Sequence, residues 1–289
     1  MKVLITGAGG QAGQALCRTA PDQVEIFSLD RDRLDITDGV AVLRTVRAER
    51  PDLVINAAAY TAVDKAETEQ DQAFAVNATA VGNLAAAAAA TGARFIHIST
   101  DFVFDGSQSS PYRPEDRTNP LSVYGASKRA GEELALAANP GSLILRTGWL
   151  YSAHGKNFVK TILRLLGERG ELGVIADQVG TPTWAVSLAA AIWAATARPG
   201  LRGIYHWSDA GVASWYDFAH AIQEEALDLS LVARAIALNP ITTADYPTPA
   251  RRPAYSVLDK TAAWRDFALT GQHWRLTLRQ MLKELTDHA

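Results

Sequence analysis

Short apolar runs alternate with longer segments of helical character, and breakers mark the change from one to the other. The runs Lys2 to Thr6, Val24 to Leu29, Leu53 to Asn56, Phe95 to Ser99 and Leu143 to Arg146 predict strands. Between them, Gln11 to Ala20 stops before Pro21, Val40 to Arg50 before Pro51, and Asp71 to Ala90 before Thr91-Gly92, which predicts three helices. Strands and helices alternating in this way form βαβ units. The pattern therefore predicts an α/β fold with a doubly wound parallel sheet over most of residues 1–150.

Past residue 150 the rhythm loosens. Helices are expected at Asn157 to Leu166 and Thr183 to Ala197, with turn-rich stretches at Asn239-Pro240 and Tyr246 to Pro253. Residues 151–289 are expected to form mainly a smaller substrate-binding region. With no repeat or low-complexity linker between the halves, the two should pack as one body.

At 289 residues the chain has material for one large core or a core with a lobe attached. Its single cysteine, Cys17, excludes an intrachain disulfide, which fits a reducing cytoplasm. A net charge of −3, spread along the chain, provides no basic field for nucleic acid. Glycines interrupt the apolar N-terminus before a signal-peptide core is complete, and the alanine run Ala85 to Ala90 is too short for a membrane span, so neither membrane nor nucleic acid is an expected partner.

Directly behind the first predicted strand, Gly7, Gly10 and Gly13 are spaced G-x-x-G-x-x-G, with Gln11 and Ala12 opening a helix. Such a loop makes a tight turn and brings a dinucleotide pyrophosphate onto backbone N–H groups and the positive end of the helix, the signature of a Rossmann fold. Asp30, at the end of the second strand, can accept hydrogen bonds from an adenosine ribose, which favours NADH. Arg31 and Arg33 follow at once and suit a 2′-phosphate, so NADPH stays open. Asp35-Ile36 can reach adenine, and Ala57-Ala58-Ala59 lets a cofactor pass close to the backbone.

Tyr124 and Lys128 stand four residues apart, one turn apart on one helix face. A free tyrosine, with a pKa near ~10, is a sluggish acid at neutral pH, and a neighbouring ammonium is expected to pull that value down. Thr100 and Asp101 fall at the end of the fourth strand, on the sheet edge where a Rossmann site opens. Thr100 can hold a substrate oxygen while Tyr124 delivers a proton.

Longer strings narrow the reading. Asn56 to Glu67 (NAAAYTAVDKAE), Ser99 to Gly106 (STDFVFDG), Arg146 to Tyr151 (RTGWLY) and Tyr246 to Pro253 (YPTPARRP) resemble the dTDP-4-dehydrorhamnose reductase family, extended members of the short-chain dehydrogenase/reductase superfamily. The match runs through nearly the whole chain. The resemblance implies hydride transfer from NADPH or NADH to the C4 ketone of dTDP-4-dehydro-β-L-rhamnose, giving dTDP-β-L-rhamnose for bacterial surface polysaccharide. It implies that Tyr124 is the proton donor, that Lys128 holds the nicotinamide ribose and tunes Tyr124, and that Thr100 completes the triad. Tyr60 and Thr61 would join the glycine loop, Asp30, Asp35, Ile36 and the alanines around the cofactor. Thr100, Asp101, Tyr124 and Trp149 would face the dTDP-sugar, and Arg251 or Arg252 would meet its diphosphate.

One departure stands out. The family's Mg²⁺-binding glutamates at a dimer contact correspond here to Ala15 and Val186, which cannot ligate a hard cation. No metal site is expected, and the chain is expected to be a monomer or a homodimer. Two other readings of the same fold are a sugar-nucleotide epimerase or dehydratase and a noncatalytic NADP-binding regulatory subunit. Dehydratases place a second acid after the aspartate, where this chain has Phe102.

Overall fold

The computed structural model describes residues 1–286. Six parallel strands form the central sheet in the order β2-β1-β3-β4-β5-β6. They are β1 Lys2–Thr6, β2 Glu25–Leu29, β3 Leu53–Asn56, β4 Arg94–Thr100, β5 Leu143–Thr147 and β6 Gly203–His206. The helices that matter below are α1 Gln11–Arg18, α2 Gly39–Glu49, α3 Gln70–Thr91, α4 Val123–Ala138, α5 Phe158–Glu168, α6 Ala185–Thr196, α7 Trp215–Asp228, α8 Thr261–Phe267 and α9 Trp274–Thr286.

The central strands are apolar on both sides because helices cover both faces. Val3, Ile5, Leu53 and Ile55 pack against Leu16 of α1, Leu188 and Ile192 of α6, and Phe267 of α8. Leu4, Val54 and Phe95 point the other way, against Val42 and Val46 of α2, Leu84 of α3 and Ala135 of α4. A third core gathers Val159, Ile162, Phe218, Ile222, Leu278 and Met281 from α5, α7 and α9.

Two pieces beyond residue 150 return to the sheet layer. Strand β6 adds its sixth member beside β5, and α6 lies under it together with α8. The stretch at Asn239-Pro240 is not a turn. It belongs to strand Ala237–Ile241, which pairs in parallel with Glu171–Ile175, and the two strands form a sheet by themselves. A proline is tolerated there because every strand of such a pair has a free edge.

Helix α3 is long and apolar enough to cross a membrane by length and composition. Its apolar residues are already used. Ala80, Val81, Leu84, Ala85 and Ala88 are buried in the core shared with Leu4, Val54 and Phe95.

The strand order sets the place of a site. From β1 the chain runs outward to β2 on one side and then returns to β3 on the other. A crevice opens beyond the carboxyl ends of β1 and β3, where the order reverses.

Candidate active site

A cleft of about 1000 Å³ fills that crevice. Gly7, Gly10, Gln11 and Ala12 line it from the glycine loop, and Asp30, Asp35 and Ile36 from the loop after β2. Ala57, Ala58, Ala59, Tyr60 and Thr61 follow β3, Thr100 and Asp101 end β4, and Tyr124, Lys128, Trp149 and Arg252 complete the wall. Gly13 and Arg251 are not on the lining: Gly13 is buried behind the loop and Arg251 is exposed elsewhere.

The glycine loop fits a dinucleotide. Gly7 has φ +71°, and a Cβ there would lie 2.4 Å from Ala58 N; a Cβ on Gly13 would lie 2.2 Å from Gly7 O. Only hydrogen at both positions lets the turn sit on β3 and α1 sit on the turn. Gly10 caps α1 with no side chain over the first turn, so that helix end still has donors to offer an anion. Gln11 Oε1 accepts from Ser152 Oγ and Asn157 Nδ2, at 3.2 and 2.9 Å, which ties the 152–157 loop over the cleft mouth.

The two arginines after Asp30 separate. Arg33 donates to Ser28 O at 2.7 Å and lies over the Phe27 ring, away from the lining, whereas Arg31 lines the cleft together with Asp32.

Ser122 accepts from Gly125 N and starts α4, which places Tyr124 and Lys128 one turn apart on the cleft side. The ring of Tyr124 meets Phe102 edge-on at 5.6 Å. Its hydroxyl is pushed up to about 12, first by burial, with Thr100 pulling down and the charge of Asp101 pushing further up. This reverses the expected lowering by Lys128. The Lys128 amine is engaged elsewhere: it donates to Ile98 O at 2.7 Å and stands 3.1 Å from His97 Nε2. Burial lowers Lys128 to about 8 against the opposing charge of Glu132.

Thr100 Oγ1 donates to Asp101 Oδ1 at 3.1 Å and accepts from Phe102 N, capping the tight turn Asp101–Val103. Asp101 is 2% exposed, and burial lifts its carboxyl to about 6. The RTGW string gains its reason here. Arg146 is bound by Glu132 through two contacts of 2.9 and 2.7 Å, and Gly148 leaves the space that the Asp101 carboxyl occupies, since a Cβ would lie 2.6 Å from it. Trp149 takes a left-handed φ of +51° and stacks flat on Trp215 at 3.4 Å. A strained backbone at a cleft-lining aromatic marks a side chain held in place by its surroundings.

Arg252 reaches the cleft but is already paired. It bonds both carboxyl oxygens of Asp64, at 3.1 and 2.8 Å, and this holds the Asp64 carboxyl below its ordinary range. Sequence reasoning missed Trp215, Lys156 and Gln72, which also line the cleft. It missed Asn77 too, fully buried at a π-helical turn within α3. Asn77 accepts from Tyr60 N and donates to Tyr60 O and Ser127 Oγ. No local motif marks these four, because their role comes from where α3, α7 and the 152–157 loop pack.

The model of the family described as the RmlD substrate binding domain matches residues 1–287. The chain belongs to that family. It is 43% identical over 287 residues to a dTDP-4-dehydrorhamnose reductase from Aggregatibacter actinomycetemcomitans, covering 97% of this chain and 98% of that one. A dTDP-4-dehydrorhamnose reductase ortholog from Clostridium acetobutylicum superposes with a TM-score of 0.93 at 40% identity, covering 99% of this chain and 100% of the other. The Bacillus anthracis dTDP-4-dehydrorhamnose reductase, solved in complex with NADP, gives 0.93 at 36% identity over 98% and 99%.

Within the RmlD family fold, Ala15 is buried under the sheet and Val186 is packed against the same core. Among the described residues no three His, Cys, Asp or Glu side chains gather as a metal site would require.

Proposed function

We propose that this chain reduces the C4 ketone of dTDP-4-dehydro-β-L-rhamnose to dTDP-β-L-rhamnose, the last step in making that sugar nucleotide for bacterial surface polysaccharide. One observation carries the reading. Thr100, Asp101, Tyr124 and Lys128 line the same cleft whose other end is the glycine loop. The RmlD family membership and relatives named for this reduction support it.

NADPH or NADH, bound along Gly7 to Ala12, Asp30 to Ile36, Ala57 to Thr61 and Lys128, would supply the hydride. Gly13 serves from behind, by letting α1 close on the loop. Thr100 turns its hydroxyl from Asp101 to the carbonyl oxygen, and Tyr124 gives its proton to that oxygen as negative charge develops on it. A hydroxyl pushed up to about 12 keeps its proton at neutral pH, so the acid is present in the form the reduction needs. Trp149, with Trp215 behind it, and Arg252 would orient the dTDP portion, whose binding energy sets C4 against the nicotinamide. Arg251, outside the lining, is left to the surface.

The cytoplasm is the proposed compartment, and a monomer or homodimer the proposed state. A dehydratase is disfavoured because Phe102 fills the position of the second acid with a ring packed on Tyr124. A noncatalytic regulatory subunit would have no need of Tyr124, Lys128 and Thr100 together.

The test is Tyr124→Phe, assayed by loss of reduced-nicotinamide absorbance with dTDP-4-dehydrorhamnose. It keeps the ring and removes the acid, so kcat should fall about 10²- to 10⁴-fold while NADPH affinity changes little. Turnover within a few-fold of the parent would mean that the acid is misassigned. No net oxidation of NADPH by the parent chain would remove the reductase reading altogether.

A further inference from the structure

The stretch 152–157, just before α5, is fastened to the glycine loop. Gln11, the first residue of α1, accepts at Oε1 from Ser152 Oγ and Asn157 Nδ2. Asn157 Nδ2 also donates to Ser152 O at 2.7 Å, while its Oδ1 accepts from Lys160 N and caps α5. His154 N donates to Ser152 Oγ at 3.1 Å, and the His154 ring meets Arg18, the last residue of α1. Gly155 has φ +71°, and a Cβ there would lie 3.4 Å from Gln11 Cγ, so the tip of the loop rests on the start of α1. Lys156 therefore leaves a backbone tied to both helices.

Four cations line the cleft: Arg31, Lys128, Lys156 and Arg252. Three are placed by their surroundings. Lys128 donates to Ile98 O, Arg252 is bound by Asp64, and Arg31 follows Asp30 at the ribose end. Lys156 is exposed, and its amine has neither a hydrogen bond nor an ion pair among the described residues. The glycine loop has the opposite need. Gly7, Gly9, Gly10, Gln11 and Ala12 bring no charge to the lining and offer a dinucleotide backbone N–H groups and a helix end. A bound pyrophosphate is negative at both phosphates, and an ammonium beside it makes a charge-assisted hydrogen bond that neutral donors do not match.

We propose that Lys156 is a further cofactor-binding residue, whose ammonium binds the pyrophosphate of NADPH or NADH at the glycine loop, and that Gln11 positions it through Ser152 and Asn157. The dTDP portion of the substrate carries a diphosphate as well. The ties to Gln11 put Lys156 on the cofactor's. Since the pyrophosphate is common to both cofactors, Lys156 strengthens NADPH and NADH alike, unlike Arg31, whose reach to a 2′-phosphate would separate them.

The inference rests on the dinucleotide reading of the glycine loop, and one set of titrations separates the two. Binding of NADPH, NADH and dTDP to the full chain is followed by fluorescence in the parent, Lys156→Gln and Lys156→Arg. Lys156→Gln should weaken NADPH and NADH by the same factor, about five- to tenfold, and leave dTDP unchanged. Lys156→Arg should restore most of the loss. A loss for NADPH alone would put the lysine on the 2′-phosphate, and a loss for dTDP alone would put it on the substrate; either overturns the proposal, as does no change at all. Gln11→Ala unties the loop, so adding Lys156→Gln in that background should weaken NADPH by no more than about twofold. The full factor there would overturn the role given to Gln11. A parent chain that binds neither NADPH nor NADH would instead fault the cofactor reading of the glycine loop, and the proposal with it.

Discussion

Asp101 costs the fold stability, and Asp101→Asn should return it. The carboxyl is buried, and its Oδ2 has no hydrogen-bond partner among the described residues. Desolvation lifts it from 3.8 to about 6, with the hydroxyls of Ser256 and Thr100 partly offsetting the rise. A rise of about two units, at about 1.4 kcal/mol each, means the native state disfavours the carboxylate by about 3 kcal/mol. Because the native value is raised, this stability is present below about pH 4 and is lost as pH climbs through about 6. Asparagine keeps the shape and carries no charge. The variant should match the parent near pH 4 and exceed it by up to about 3 kcal/mol at neutral pH, roughly 5 °C in Tm for a chain of this size. Calorimetric melts of both proteins across that range measure the gap. A difference that does not change with pH, or an Asn variant less stable than the parent at neutral pH, would refute the argument. On the proposed reading turnover should fall in the same variant, because Asp101 lines the cleft together with Tyr124 and Thr100.

Asp30→Ala should shift the kcat/KM ratio toward NADPH, because Arg31 remains on the lining while the ribose diol loses its acceptor; an unchanged ratio would remove Asp30 from the ribose site. Gly13→Ala places a methyl 2.2 Å from Gly7 O. It should cost about 1–3 kcal/mol in denaturant unfolding and weaken NADPH binding measured by fluorescence titration. EDTA should leave turnover and assembly unchanged, since Ala15 and Val186 offer no ligands; a loss of activity restored by Mg²⁺ would contradict this.

The cleft was legible wherever its lining falls in a contiguous string. The glycine loop, the Tyr124/Lys128 pair, the alanines after β3 and Thr100-Asp101 at the end of β4 all line one cavity because parallel strands deliver their carboxyl ends to one edge. Local pattern could not rank the paired arginines. Arg31 and Arg33 separate because Phe27 and Ser28 O capture one of them, and Arg252 separates from Arg251 because Asp64 captures it.

By itself the sequence determined the α/β class, five of the six strands and most of the residues that line the cleft, since hydrophobic period, breakers and turn glycines act over a few residues. Only the tertiary structure decided the rest. Strand β6 is a run whose partner, β5, lies far back in the chain, and nothing in its own four residues announces the pairing. Trp215, Asn77 and His97 reach the site or its floor through packing between distant elements. The proton affinities of Tyr124, Lys128 and Asp101 follow burial more than neighbouring charge, and burial exists only once the helices have closed over the sheet.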